Sequence, residues 1–157
     1  MNFITIGQYF NKLQIVFFVL LIIPLVVFIT LYVYVDQNSP ENTQEYYILI
    51  PSLALLEWLT ALIIFNKKIK SVRDEQGVGA KLDKYFFVTI VRYSFLASSG
   101  IILALGYFFT RNDMLTGLYL VSVILSLFFR PTGPRVSNEL RLKGDEREMV
   151  YFKKDSF

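Results

Sequence analysis

Four long apolar runs constrain this chain more than any other feature of its sequence. They cover residues 13–35, 47–65, 85–109 and 114–129, and they contain only two charged residues. An α-helix rises about 1.5 Å per residue, so the first three runs can cross the roughly 30 Å hydrocarbon layer, whereas the fourth is short. Lipid offers no hydrogen bonds to a backbone, so such runs predict helices rather than strands. We therefore expect an all-α integral membrane protein, with an up-down-up-down four-helix transmembrane bundle over residues 1–129.

The amino-acid composition supports this class. The chain is 54% hydrophobic and 17% aromatic, whereas ordinary soluble domains are roughly 45 to 50% apolar. The excess lies in the four runs, and the 16 basic and 13 acidic residues crowd between and after them. The first run is also about twice as long as the apolar core of a secretory signal peptide, so we expect it to remain as a membrane anchor.

The distribution of lysine and arginine predicts the orientation. Fourteen of the 16 basic residues fall on one side of a four-span arrangement, mainly within 66–84 and 130–157. The loop of residues 36–46 on the other side carries three acidic residues and no basic one. Positive charge collects on the cytoplasmic side of a membrane, so we expect both termini to be cytoplasmic. The many Phe, Ile, Tyr, Asn and Lys residues and the absence of glycosylation sequons favour a bacterial-type inner membrane.

The sequence gives little support for catalysis. It contains no cysteine and no histidine, which removes thiol chemistry and the commonest ligands of transition metals. The net charge of +3 is explained by topology and lipid headgroups, so we expect no nucleic-acid partner. We predict no catalytic residue, no cofactor and no metal site.

Two ionisable residues, Glu57 and Arg92, lie inside the apolar runs. A charge at that depth costs several kcal/mol unless it is paired or hydrated. The two residues are at similar distances from the cytoplasmic ends of consecutive runs, which predicts an intramembrane ion pair. The pair would either fix the register of the helices or form an ion site in which Glu57 exchanges a proton or cation.

Polar residues also recur at helical spacing in the third and fourth runs. We expect them to lie on the faces where helices meet, since hydroxyl groups form hydrogen bonds across such interfaces. Lining a polar pathway is the alternative. The stripe consists of Thr89, Ser99, Thr116, Tyr119, Ser122 and Ser126.

The segment 130–157 is predicted to be a cytoplasmic tail with a short amphipathic helix over residues 146–154. It is more apolar than a solvated tail requires, so its apolar residues need a surface to pack on. Headgroups, attracted by nearby basic residues, or a partner protein would supply it. The residues expected to make this partner or lipid contact are Leu140, Leu142, Met149, Val150, Phe152, Lys153 and Lys154.

These features favour a non-catalytic accessory or assembly subunit of a larger membrane complex. Its expected partners are membrane lipids and other membrane subunits, or further copies of the chain. The alternative is a small oligomeric transporter or channel that uses Glu57. An enzyme acting on lipid ranks third, because the candidate reactive groups are few and scattered.

Overall fold

A computed structural model describes residues 5–34 and 46–153, and throughout these ranges the regular structure is helical, without a strand. This confirms the all-α class. The acidic loop and Lys154 lie outside the described residues. The helices are α1 (Ile6–Tyr34), α2 (Tyr46–Arg73), α3 (Val78–Thr110), α4 (Asp113–Phe128), α5 (Gly133–Leu140) and α6 (Gly144–Phe152).

Three helices, α1, α2 and α3, are each long and apolar enough to cross a membrane. The fourth helix, α4, has 16 residues, or about 24 Å, which is shorter than the hydrocarbon layer. It reaches spanning length only together with α5, and the two helices are bent by 78°. The chain is thus a multi-pass membrane protein with three or four spanning helices.

The long helices extend beyond their apolar runs at one end of the molecule. This basal end is where residues 74–77 join α2 to α3. Relative to the predicted runs, α1 begins seven residues earlier, α2 ends eight residues later and α3 begins seven residues earlier. A helix continues past the hydrocarbon because its backbone bonds are internal and its charges are then solvated. The turn is tight, and Gly77 takes a φ of 85°, which glycine adopts at little cost.

The central element is α3, because α1, α2 and α4 each pack mainly against it. Its buried residues occur all along its length, from Leu82 to Thr110. The outer faces of the other three helices are apolar and exposed, as at Val26, Ile48 and Ile124. In a membrane these faces contact lipid or another protein.

The C-terminal helices fold back onto the basal ends of the long helices. Leu140, Leu142 and Val150 are at most 5% exposed and belong to the same core cluster as residues of α1, α2 and α3. Met149 packs partly against that cluster. For the three buried residues, the prediction of contact with lipid or a partner is wrong. These residues pack instead on the basal ends of α1, α2 and α3, which extend beyond the predicted apolar runs.

Among the residues predicted to contact lipid or a partner, two within the described part of the chain are exposed. Phe152 is 61% exposed, and Lys153 is exposed with Nζ 5.4 Å from the centre of the Phe10 ring. The predicted short helix is present but begins two residues earlier, at Gly144.

Candidate functional site

The largest fully buried side chain among the described residues is Arg92 of α3, which is 2% exposed. Its guanidinium carbon lies 3.8 Å from the centre of the Phe65 ring and 5.1 Å from that of Phe129. Aromatic faces attract a desolvated cation by roughly 2 kcal/mol. The rings therefore offset part of the desolvation cost, and the charge still needs an anion.

The anion is Glu139 of α5. Arg92 Nη1 donates to Glu139 Oε1 at 3.4 Å, and Arg135 Nε donates to the same oxygen at 2.8 Å. Tyr85 Oη donates to Glu139 Oε2 at 2.5 Å, and Arg73 Nε donates to the Glu139 backbone carbonyl at 2.8 Å. Glu139 thus joins α3 through its carboxylate, and α2 through its backbone carbonyl, to α5. We call these five residues the basal charge cluster.

The predicted partner, Glu57, does not pair with Arg92, and the geometry of the α2–α3 hairpin explains why. Ser99 Oγ donates to the Ala54 carbonyl at 3.2 Å, so these two residues are level. Seven residues closer to the basal end along both helices, Arg92 of α3 is level with Ala61 of α2. Glu57 lies four residues, or about 6 Å, farther from the basal end than Ala61 does. Side chains lean toward the N-terminus of their own helix. Because α2 and α3 are antiparallel, Arg92 leans toward the basal end and Glu57 away from it.

Glu57 therefore remains a separate feature. Its side chain is half-buried, and Oε2 is enclosed without a hydrogen-bond partner among the described residues. Such a carboxylate within a span could take up a proton or cation.

The polar stripe lies mostly in helix interfaces. Thr89 and Ser99 are fully buried, and Tyr119, Ser122 and Ser126 are at most 8% exposed. Trp58 Nε1 of α2 donates to Ser122 Oγ of α4 at 3.1 Å, and Ser126 Oγ donates to the Ser122 carbonyl at 2.8 Å. Thr116 is half-buried, with an enclosed hydroxyl that has no hydrogen-bond partner in the described chain. The placement favours interhelical contact over a continuous polar pathway.

An apolar groove of about 430 Å³ lies between α2 and α4, with α3 as its floor. The hydroxyls of Ser99 and Ser122 in its lining already form hydrogen bonds within the protein. Its walls include Leu55, Leu59, Leu62, Leu118, Val121 and Leu125. The surface offered to an occupant is accordingly almost entirely hydrocarbon.

Sequence reasoning found Arg92 but not the other four members of the basal charge cluster. A signal was present, because Arg135 and Glu139 are separated by one helical turn, and each is followed directly by a buried residue, Val136 and Leu140. That pattern indicates a short amphipathic helix that docks on another surface.

Within residues 5–34 and 46–153, no group of three His, Cys, Asp or Glu side chains could hold a metal ion. Comparisons with protein-family models, with curated proteins and with solved structures found no match.

Proposed function

We propose that this protein is a non-catalytic accessory or assembly subunit of a larger membrane complex, and that the α2–α4 groove receives a transmembrane helix of its partner. The observation that carries the proposal is the groove itself: two apolar helices pack on α3 and leave a cleft between them.

The lining of the groove supports a helix as its occupant. Transmembrane helices associate mainly by close packing, and small residues at the contact let the backbones approach. Ala54, Ser99 and Ser122 are small and line the groove. Their position allows an incoming helix to insert larger side chains between the leucine walls.

The C-terminal segment contributes less to partner binding in this proposal than its sequence suggests. Most of its apolar side chains are used to close the basal end. The partner is therefore expected to bind through the transmembrane faces, while Phe152 and Lys153 contact lipid headgroups. The lysine and arginine distribution supports cytoplasmic termini in an inner membrane and α4 as a fourth span.

Single-cysteine crosslinking tests this proposal cleanly, because the chain has no cysteine of its own. Leu59→Cys and Leu125→Cys place a thiol at the groove, and Ile29→Cys places a matched thiol on the outer face of α1. These positions are 51%, 43% and 52% exposed. Each thiol is alkylated with benzophenone maleimide, whose photo-activated ketone inserts into C–H bonds and needs no thiol on the partner. On irradiation in native membranes, the groove variants, but not the α1 control, should crosslink to one other membrane protein that also co-purifies in mild detergent. Equal labelling at all three positions, or no product, would refute the groove as the partner site.

The unpartnered Oε2 of Glu57 supports a second candidate function, an oligomeric transporter or channel. In that case Glu57→Gln should abolish ion-linked flux in proteoliposomes, and the groove variants should form only products between copies of this chain. For an accessory subunit, Glu57→Gln should leave the crosslinked partner unchanged.

A further inference from the structure

A small, half-open cavity of about 30 Å³ lies where α1, α3 and α4 converge. Its lining includes Leu20, Pro24, Gly100, Tyr119, Ser122 and Ser126. A cavity needs about 10 to 15 Å³ of such volume to hold one water molecule, together with two to four polar partners. The volume is sufficient for one water.

Residues that line the cavity also carry polar groups with unused hydrogen-bonding capacity. Tyr119 is 1% exposed, and its hydroxyl has no hydrogen-bond partner among the described residues. Pro24 lies inside α1 and has no N–H to donate, so the carbonyl four residues earlier, on Leu20, loses its usual helical bond. Ser122 Oγ accepts from Trp58 Nε1 and has its own proton to donate.

We propose that this cavity is a binding site for a single water molecule, which accepts a hydrogen bond from Tyr119 and donates one to the freed Leu20 carbonyl. Pro24 lies about 16 Å, or eleven residues, beyond the start of its apolar run, close to the middle of the hydrocarbon layer. One bound water satisfies both groups and joins α4 to α1 at the proline.

The Tyr119→Phe substitution tests for the bound water, because the direction of the change in melting temperature depends on whether the hydroxyl has a hydrogen-bond partner. The ring and its stacking on Phe28, with centroids 4.2 Å apart, are retained. If the hydroxyl holds a water, its removal should lower the melting temperature by about 2 to 4 °C. An unchanged or raised melting temperature would mean that the hydroxyl has no partner, and would overturn the proposal.

Two glycines of α3 provide a direct and matched measurement. Gly100 lines the cavity, whereas Gly106 is equally buried but packs against Ile50 and Leu115. In bilayers, solid-state NMR should detect magnetisation transfer from water to the α-protons of Gly100 and not to those of Gly106, and Tyr119→Phe should weaken it. No transfer to Gly100 would overturn the proposal even if the variant is destabilised.

Discussion

The buried charge of Arg92 is stabilised by residues of two other helices, α2 and α5. The Phe65 ring covers one face of its guanidinium, and Glu139 supplies the anion. Because Glu139 also accepts from Tyr85 and Arg135, its carboxylate is held in position beside Arg92. Removing one member of such a cluster leaves its neighbours desolvated and incompletely paired.

A double-mutant cycle should therefore couple Arg92 to Glu139 and not to Glu57. Glu139→Gln should lower the free energy of unfolding by about 3 kcal/mol, because it leaves the buried Arg92 without its anion. Arg92→Met should lower it by less, because Glu139 keeps its ion pair with Arg135 and its hydrogen bond from Tyr85. The double variant should recover about 1 to 3 kcal/mol relative to additivity. The measurement is reversible unfolding in detergent.

Glu57→Gln is the control for this cycle. Combined with Arg92→Met, it should give additive losses, because the two side chains lean apart along the α2–α3 hairpin. A coupling energy above about 1 kcal/mol between Glu57 and Arg92 would contradict the structure. It would support the ion pair that was predicted from the similar distances of the two residues from the cytoplasmic ends of their apolar runs.

At the level of elements, the docking of α5 and α6 depends on a close approach of backbones. A Cβ added to Gly133 would lie 2.8 Å from the Val150 carbonyl oxygen and 2.9 Å from that of Tyr151. Both contacts are with backbone atoms, which cannot rotate away as a side chain would. Glycine at this position lets α5 and α6 cover the basal ends of α1, α2 and α3.

Gly133→Ala should consequently loosen the α5–α6 unit and lower stability by about 1 to 3 kcal/mol. Trypsin should then cleave faster after Arg141 and Lys143, which lie between the two helices. Gly117→Ala is the matched control, since a Cβ at that helical glycine meets nothing within 4 Å. Equal cleavage rates in the two variants would show that the close approach does not hold the helices together.

Sequence reasoning predicted an all-helical chain with several apolar spanning helices, but it did not predict how the helices contact one another. Apolar runs located the four long helices because burial in lipid imposes a composition on each segment separately. The partner of Arg92 could not be found in this way, because it depends on helix register, on the lean of side chains and on a segment that is polar overall. Burial of Leu140 and Val150 likewise depends on where the chain folds back.

At the scale of the whole molecule, the arrangement is a central α3 with three helices around it, closed at the basal end by α5 and α6. The groove and the outer apolar faces remain for lipid and partners. The closed basal end and the α3–α4 turn lie at opposite ends of α3. A fourth crossing therefore requires α4 to carry the chain through the bilayer from that turn back to the basal side.

Single-cysteine labelling distinguishes three crossings from four. Met114→Cys lies at the start of α4, Gln76→Cys in the α2–α3 turn and Glu148→Cys in α6, and Met114 is 58% exposed. With four crossings, a membrane-impermeant maleimide should label Met114→Cys from outside intact cells. It should label the other two variants only after permeabilisation. Labelling of Met114→Cys and Glu148→Cys from the same side would mean that α4 does not cross.

Arg92 and Glu139 are 47 positions apart in the sequence, so the two residues are added to the growing chain at different times. At about 5 to 20 residues per second, ribosomes synthesise Glu139 roughly 2 to 9 seconds after Arg92. During that interval α3 enters the membrane with its cation lacking a counter-ion. The newly made helices therefore reach their final stability only after α5 has been synthesised and has packed onto the basal end.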